Sequence, residues 1–85
     1  MKIIKRSGTE VTFDIDKIVN AIRAANLEVE EGSRLTDRQV IYAAQNVAEA
    51  CEKAGHTVSV EEIQDLVEDE IMLLDCYEVA RHYII

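Results

Sequence analysis

The sequence predicts an α+β fold: a small four-helix bundle capped by a two- or three-stranded antiparallel β-sheet, with an N-terminal β-hairpin. Two observations carry this expectation. A β-prone opening folds back on itself at a glycine, and one helix-start pattern then recurs four times. The four segments are Phe13-Asp14-Ile15-Asp16-Lys17-Ile18, Leu35-Thr36-Asp37-Arg38-Gln39-Val40, Val58-Ser59-Val60-Glu61-Glu62-Ile63 and Leu74-Asp75-Cys76-Tyr77-Glu78-Val79. Each reads apolar residue, cap, two residues, polar residue, apolar residue. The cap side chain accepts from a free N–H of the first turn, and the apolar pair forms a hydrophobic staple. In the last three, Gln39, Glu62 and Glu78 stand where a side chain reaches back to complete a capping box. The expected N-caps are therefore Asp14, Thr36, Ser59 and Asp75.

The hairpin comes first. Two extended runs, Lys2–Lys5 and Thr9–Phe13, flank Arg6-Ser7-Gly8. A three-residue loop with Gly8 at positive φ pairs Lys5 with Thr9 and Ile3 with Val11. That register places Ile3, Lys5, Val11 and Phe13 on one face. A two-residue turn would pair Ile4 with Val11 and send Ile3 and Lys5 to the other side.

The helices follow from periodicity. Ile15, Ile18, Val19, Ile22 and Ala25 form the first apolar stripe, and Val40, Ala43, Ala44, Val47, Ala48 and Cys51 the second. Glu28–Arg34 reads as a polar surface loop, and Gly55 as the αL residue that ends the second helix. His56-Thr57-Val58 is short and β-prone, suited to a third strand. The third helix, roughly Val60 to Leu73, buries Ile63, Val67, Ile71 and Leu74. The fourth is still apolar at Ile85 with no stop signal, which predicts a domain excised from a longer chain.

The 85 residues fit one small domain, 1–85, that buries somewhat over ~60% of its unfolded surface. No run approaches the ~20 apolar residues of a membrane span. Cys51 and Cys76 are too few for a zinc site or a disulfide framework, so the expectation is two free thiols in a cytoplasmic protein.

A net charge of −8 argues against nucleic-acid binding across the surface. Its distribution is uneven. Residues 1–23 carry five basic and three acidic groups, a net of +2; the remainder carries four and fourteen, a net of −10. Lys5, Arg6 and Lys17 crowd the junction of hairpin and first helix, and a helix N-terminus beside basic groups suits phosphate. Lys17 also breaks the repeated pattern, because it stands where the other starts carry Gln or Glu. A cation there opposes the helix dipole at a cost of roughly 0.3–1 kcal/mol. Either Asp14 and Asp16 neutralise it locally, or it shares an anionic ligand with the helix start.

The run Ile4-Lys-Arg-Ser-Gly-Thr-Glu-Val-Thr-Phe-Asp-Ile-Asp-Lys-Ile-Val-Asn-Ala-Ile22 resembles the opening of an ATP-cone domain, with its basic-basic-x-Gly hairpin and Phe/Asp-x-x-Lys-Ile helix start. Val58–Val67 and Tyr77–Arg81 resemble the later segments of the same family, so the resemblance spans the chain. It implies a regulatory module that binds ATP or dATP, with Mg2+, and controls the overall activity and oligomeric state of a ribonucleotide reductase. The text of the third and fourth helices looks most like the anaerobic, glycyl-radical type, a ribonucleoside-triphosphate reductase.

Carried over position by position, the resemblance implies that Ile3, Val11, Phe13 and Ile18 wall the base. Asp14 matches the position that reads the adenine amine, which an acceptor-only carboxylate suits. Lys5 and Lys17 match phosphate lysines, Arg6 lies at the rim, and Val60 and Gln64 face the phosphates. A further basic residue of the family falls past Ile85. His56 and His82 match no ligand position, and Tyr42, Tyr77 and Tyr83 read as packing or partner contacts.

No nucleophile–base pair, Walker motif or metal cluster stands in the sequence, so the expectation is a regulatory domain without catalytic residues. The implied partners are the catalytic domain of a parent reductase and other ATP-cones in oligomers, with no membrane and no direct nucleic acid. The alternatives are the ATP-cone of a nucleotide-sensing repressor of reductase genes, another DNA-binding module, and a structural oligomerisation domain that has lost nucleotide.

Overall fold

A computed structural model describes residues 1–84. Strand β1 (Lys2–Ile4) lies between β2 (Glu10–Thr12) and β3 (Val58–Ser59), and four helices pack behind this small sheet: α1 (Ile15–Leu27), α2 (Asp37–Lys53), α3 (Val60–Leu73) and α4 (Tyr77–Ile84). The expectation that the last helix continues through Ile85 lies outside the described residues.

The hairpin has the expected register. Ile3 pairs with Val11, the Lys5 N–H donates to the Thr9 carbonyl at 2.9 Å, and Gly8 sits at φ +89°. The Gly8 N–H closes the turn on the Lys5 carbonyl at 2.8 Å. A positive φ is cheap only for glycine, so the loop length, and with it the face of every residue in β1, rests on Gly8.

The sheet is mixed rather than strictly antiparallel. β3 runs parallel to β1, with Ile3 opposite Val58 and Ile4 opposite Ser59. A parallel neighbour requires a long crossover, and here α1 and α2 supply it. β3 therefore ends beside Ile4, where Ser59 caps α3, whereas β2 ends beside Lys2 and leads into α1, so the two helices leave the sheet from opposite ends of β1.

Three of the four expected caps are present as such. Thr36 and Ser59 accept from the Gln39 and Glu62 N–H groups at 3.1 Å each, and both boxes close through the returning side chains at 2.8 Å. Asp14 accepts from the Asp16 N–H at 3.0 Å but gains no box, because Lys17 occupies the returning position.

The fourth is different. Asp75 has φ +60° and terminates α3 instead of starting α4. Its N–H donates to the Met72 carbonyl at 3.0 Å and that of Cys76 to the Ile71 carbonyl at 3.4 Å, the paired bonds of a Schellman motif. Only three residues separate Leu73 from Tyr77, and the chain must reverse within them. Asp75 cannot adopt the extended conformation of an N-cap while making that reversal. The first turn of α4 instead folds back on Cys76, whose carbonyl accepts from the Ala80 N–H at 3.1 Å.

The four stripes meet in one core. Ile22, Val40, Val47, Val67, Ile71 and Val79 are its largest fully buried side chains, with Ile18, Val58 and Ile63 towards the sheet. Ile15, Ala48 and Leu74, expected inside, are half-buried at its edge. Between α1 and α2 the chain is pinned by Asn26, whose amide both donates to and accepts from the Leu35 backbone at 2.9 Å.

Two substitutions test these helix ends. Thr36→Ala or Ser59→Ala is expected to lower stability by ~1 kcal/mol through loss of the cap. Asp75→Gly is expected to raise it by a few tenths to ~1 kcal/mol, because glycine meets positive φ without a Cβ penalty. Denaturant melts of the three variants measure both, and a destabilised Asp75→Gly would return the residue to a capping role.

Candidate functional site

Strands β2 and β3 flank β1, and each runs directly into a helix. The first turns of α1 and α3 thereby face a common cleft of about 230 Å3, which opens between them and the hairpin. Period-two alternation puts Ile3, Lys5, Val11 and Phe13 on its sheet face, joined by Thr12. Asp14, Lys17, Ile18 and Ala21 face it from one stripe of α1, and Val60, Ile63 and Gln64 from the first turn of α3. Tyr83 of α4 completes the lining.

Every residue assigned to the site by resemblance therefore lines this one cleft, with a single exception. Arg6 stands at the hairpin tip, 88% exposed, and its Nε donates to Glu61 Oε1 at 3.0 Å. That ion pair holds the Glu61 carboxyl below its ordinary range and links the turn to the start of α3. So exposed a pair adds little to stability.

The cleft is amphipathic. Its apolar part, Ile3, Val11, Phe13, Ile18 and Ile63, suits the faces of a flat ring system. Its polar groups differ in kind: Lys5 and Lys17 only donate, Asp14 as a carboxylate only accepts, and Thr12, Gln64 and Tyr83 do both. Among the described residues Lys5 and Lys17 make no ion pair, whereas Arg6, Arg23, Lys53 and Arg81 do. An anion entering the cleft has no carboxylate partner of either lysine to displace.

Sequence reasoning did not place Ile63, Ala21, Thr12 and Tyr83 at the cleft. For Ala21 the signal was available, since it stands seven residues past Asp14 and therefore on the same helix stripe. Ile63 was assigned to the core, which is also correct: it is buried and its edge reaches the cleft. Tyr83 could not be placed without knowing how α4 docks.

His56 lies outside the cleft, paired with the first turn of α3. Its Nε2 meets Glu62 Oε1 at 3.1 Å and its Nδ1 meets the Ala54 carbonyl at 3.1 Å. Both partners are acceptors, so only the imidazolium satisfies both. The Glu62 hydrogen bond first, then that of Ala54, raises the His56 pKa above its ordinary 6.5. The Glu62 pKa is lowered from 4.5, chiefly by the Ser59 N–H and then by His56. His82 is exposed on α4.

A small α+β module with one amphipathic cleft faced by two helix starts defines a binding domain for a ligand with a flat apolar part and an anionic part. Comparison with known proteins makes this specific. The model of the ATP cone domain matches residues 1–85, and the chain belongs to that family, a nucleotide-binding regulatory module rather than a catalytic one. Over 93 residues it is 31% identical to the ribonucleoside-diphosphate reductase subunit alpha of Chlamydia trachomatis, matching 100% of this chain and 9% of the relative. Over 82 residues it is 33% identical to the anaerobic ribonucleoside-triphosphate reductase of Haemophilus influenzae, matching 96% and 11%. It is also 38% identical over 89 residues to the vitamin B12-dependent ribonucleoside-diphosphate reductase of Thermoplasma acidophilum, matching 99% and 11%. The chain thus spans about a tenth of the length of these relatives, which include both diphosphate and triphosphate reductases. Among the described residues no helix is long and apolar enough to cross a membrane.

The His56 pair predicts a pH signature. A raised histidine pKa contributes stability that is complete below the unfolded value and fades as pH rises through the folded one. A lowered Glu62 pKa contributes stability present above its unfolded value and fades as pH falls through the folded one. The pair is therefore strongest between about pH 5 and 6. Melting temperatures of the unsubstituted protein and His56→Ala are expected to differ there and to converge as pH rises through the raised histidine value. Parallel profiles would mean the ring is unpaired in solution.

Proposed function

We propose that this chain is the allosteric, overall-activity domain of a ribonucleotide reductase and that its cleft takes ATP or dATP. The observation that carries the proposal is the convergence of Lys5, Asp14, Lys17 and Gln64, with the apolar base-walling residues, on one cleft. In this reading Ile3, Val11, Phe13 and Ile18 enclose the adenine, and Asp14 accepts from its exocyclic amine. Lys5 and Lys17 hold the phosphates, with Val60 and Gln64 facing them and Arg6 at the rim. Magnesium would accompany the triphosphate, bound to phosphate oxygens and water, since among the described residues no His, Cys, Asp and Glu side chains gather into a metal site.

The output is regulatory. ATP and dATP differ only in the ribose 2′-hydroxyl, so a domain that responds differently to them must present different surfaces to its neighbours in the two complexes. Those neighbours would be the catalytic domain of a parent reductase and other ATP-cones in a cytoplasmic oligomer. The response is bounded by the difference in affinity of the two nucleotides for the two states. Resemblance in α3 and α4 favours a triphosphate-reducing, anaerobic parent.

Lys17→Glu gives the sharpest test. The unliganded domain is expected to be unchanged or stabilised by some tenths of a kcal/mol, because a glutamate there completes the missing box and complements the dipole. Affinity for ATP and dATP is expected to fall together by at least ~1.5–3 kcal/mol, as a charge-assisted bond becomes a repulsion. Titration calorimetry and melts of the same variant read both halves. If affinity survives while stability drops, Lys17 is structural and the phosphate site lies elsewhere.

A further inference from the structure

We infer that Tyr83 reads the sugar of the bound nucleotide and so sets the preference between ribo- and deoxyribonucleotides; this rests on the nucleotide-binding reading of the cleft. Tyr83 comes from α4 and is the residue by which that helix lines the cleft. It is half-buried, and burial raises its hydroxyl pKa, so the group is a neutral donor and acceptor at physiological pH. Among the described residues that hydroxyl makes no hydrogen bond, yet no buried side-chain oxygen is left unsatisfied. The hydroxyl must therefore reach accessible space.

Tyr83 lines the cleft and two neighbouring depressions. Tyr83 borders Ala21 and Ala25 of α1 on one side and Gln64 and Glu68 of α3 on the other, which puts it one helical turn beyond Lys17 and Ile18. An alanine at position 21 leaves room there that a larger residue would fill.

Donor and acceptor types then assign the partner. The donor-only lysines suit phosphate and the acceptor-only Asp14 suits an amine. A sugar hydroxyl both donates and accepts, and it is matched by groups that do the same. Thr12 is engaged with Lys2 Nζ at 3.4 Å, whereas Gln64 and Tyr83 have no side-chain hydrogen-bond partner among the described residues. Tyr83 has the stiffer side chain of the two, with fewer rotatable bonds to immobilise, and a rigid hydroxyl discriminates best against an analogue lacking its partner.

Tyr83→Phe in the 85-residue chain removes one oxygen and leaves the ring. It is expected to weaken ATP binding by about 5- to 10-fold, the loss of one hydrogen bond, while dATP affinity stays within about twofold. Calorimetric titration with each nucleotide reads the ratio, and a thermal melt confirms that the variant is folded. The tyrosine ring signals of the unsubstituted protein provide a second measurement that needs no variant: ATP is expected to shift the Tyr83 resonances more than dATP does. An unchanged ATP-to-dATP ratio in Tyr83→Phe, or equal shifts with the two nucleotides, overturns the assignment while leaving the nucleotide site intact. Failure of either nucleotide to bind the unsubstituted chain overturns both readings together.

Discussion

The fold depends on one short strand being paired along both edges. β1 hydrogen-bonds to β2 on one side and to β3 on the other, and each of those strands leads straight into a helix. Its pairing therefore fixes two helix N-termini relative to each other across a distance that no local interaction could set. A sheet this small would not persist alone. It is held because Val58 and Ile63 are buried with the helices, and Ile3 and Phe13 pack half-buried against the same core. The cleft is a consequence of this arrangement: its walls are the first turns that face it, and its sheet face is the side of β1 that the Gly8 turn selects.

The same arrangement explains the exception at Lys17. Capping boxes at Thr36 and Ser59 satisfy two backbone donors at the start of α2 and of α3. α1 has only Asp14, bonded to a single N–H, and carries a cation where a glutamate would stabilise it. A local deficit of this kind persists where something else compensates, and functional sites are where such departures from local consistency concentrate. Asp14 and Lys17 both face the cleft, so the deficit and the cavity coincide.

How much of this was legible in the sequence follows from the range of each determinant. Register, the αL glycines and the Thr36 and Ser59 boxes are decided within a few residues, and all were readable. The direction of β3 was not, because it depends on where α1 and α2 deliver the chain. Asp75 shows a subtler limit. Leu74–Val79 satisfies the capping pattern as written, but the same aspartate also stands at the C-terminus of α3, and the reversal demanded by a three-residue connection outweighed the box. A local motif was read correctly and overruled by its neighbour. For the site, the strand-face and helix-start residues were legible through the resemblance, whereas Tyr83 depends on the docking of α4.

That docking bears on how a binding domain of this kind could signal. α4 enters through a reversal at a non-glycine positive φ and is anchored by the buried Val79 and Ala80. It packs against both α1 and α3, the two helices whose first turns line the cleft. It also supplies Tyr83, which lines the cleft beside Ala21, beyond Lys17. On the proposed reading, a ligand held by Lys5, Asp14 and Lys17 sits against elements locked by β1, and a change of one hydroxyl cannot move those. The same change at Tyr83 acts on α4, where a small difference in interaction energy can shift orientation. Telling two nearly identical ligands apart requires that at least one wall of the site interact with them at different energies, and on this reading that wall is the one Tyr83 supplies.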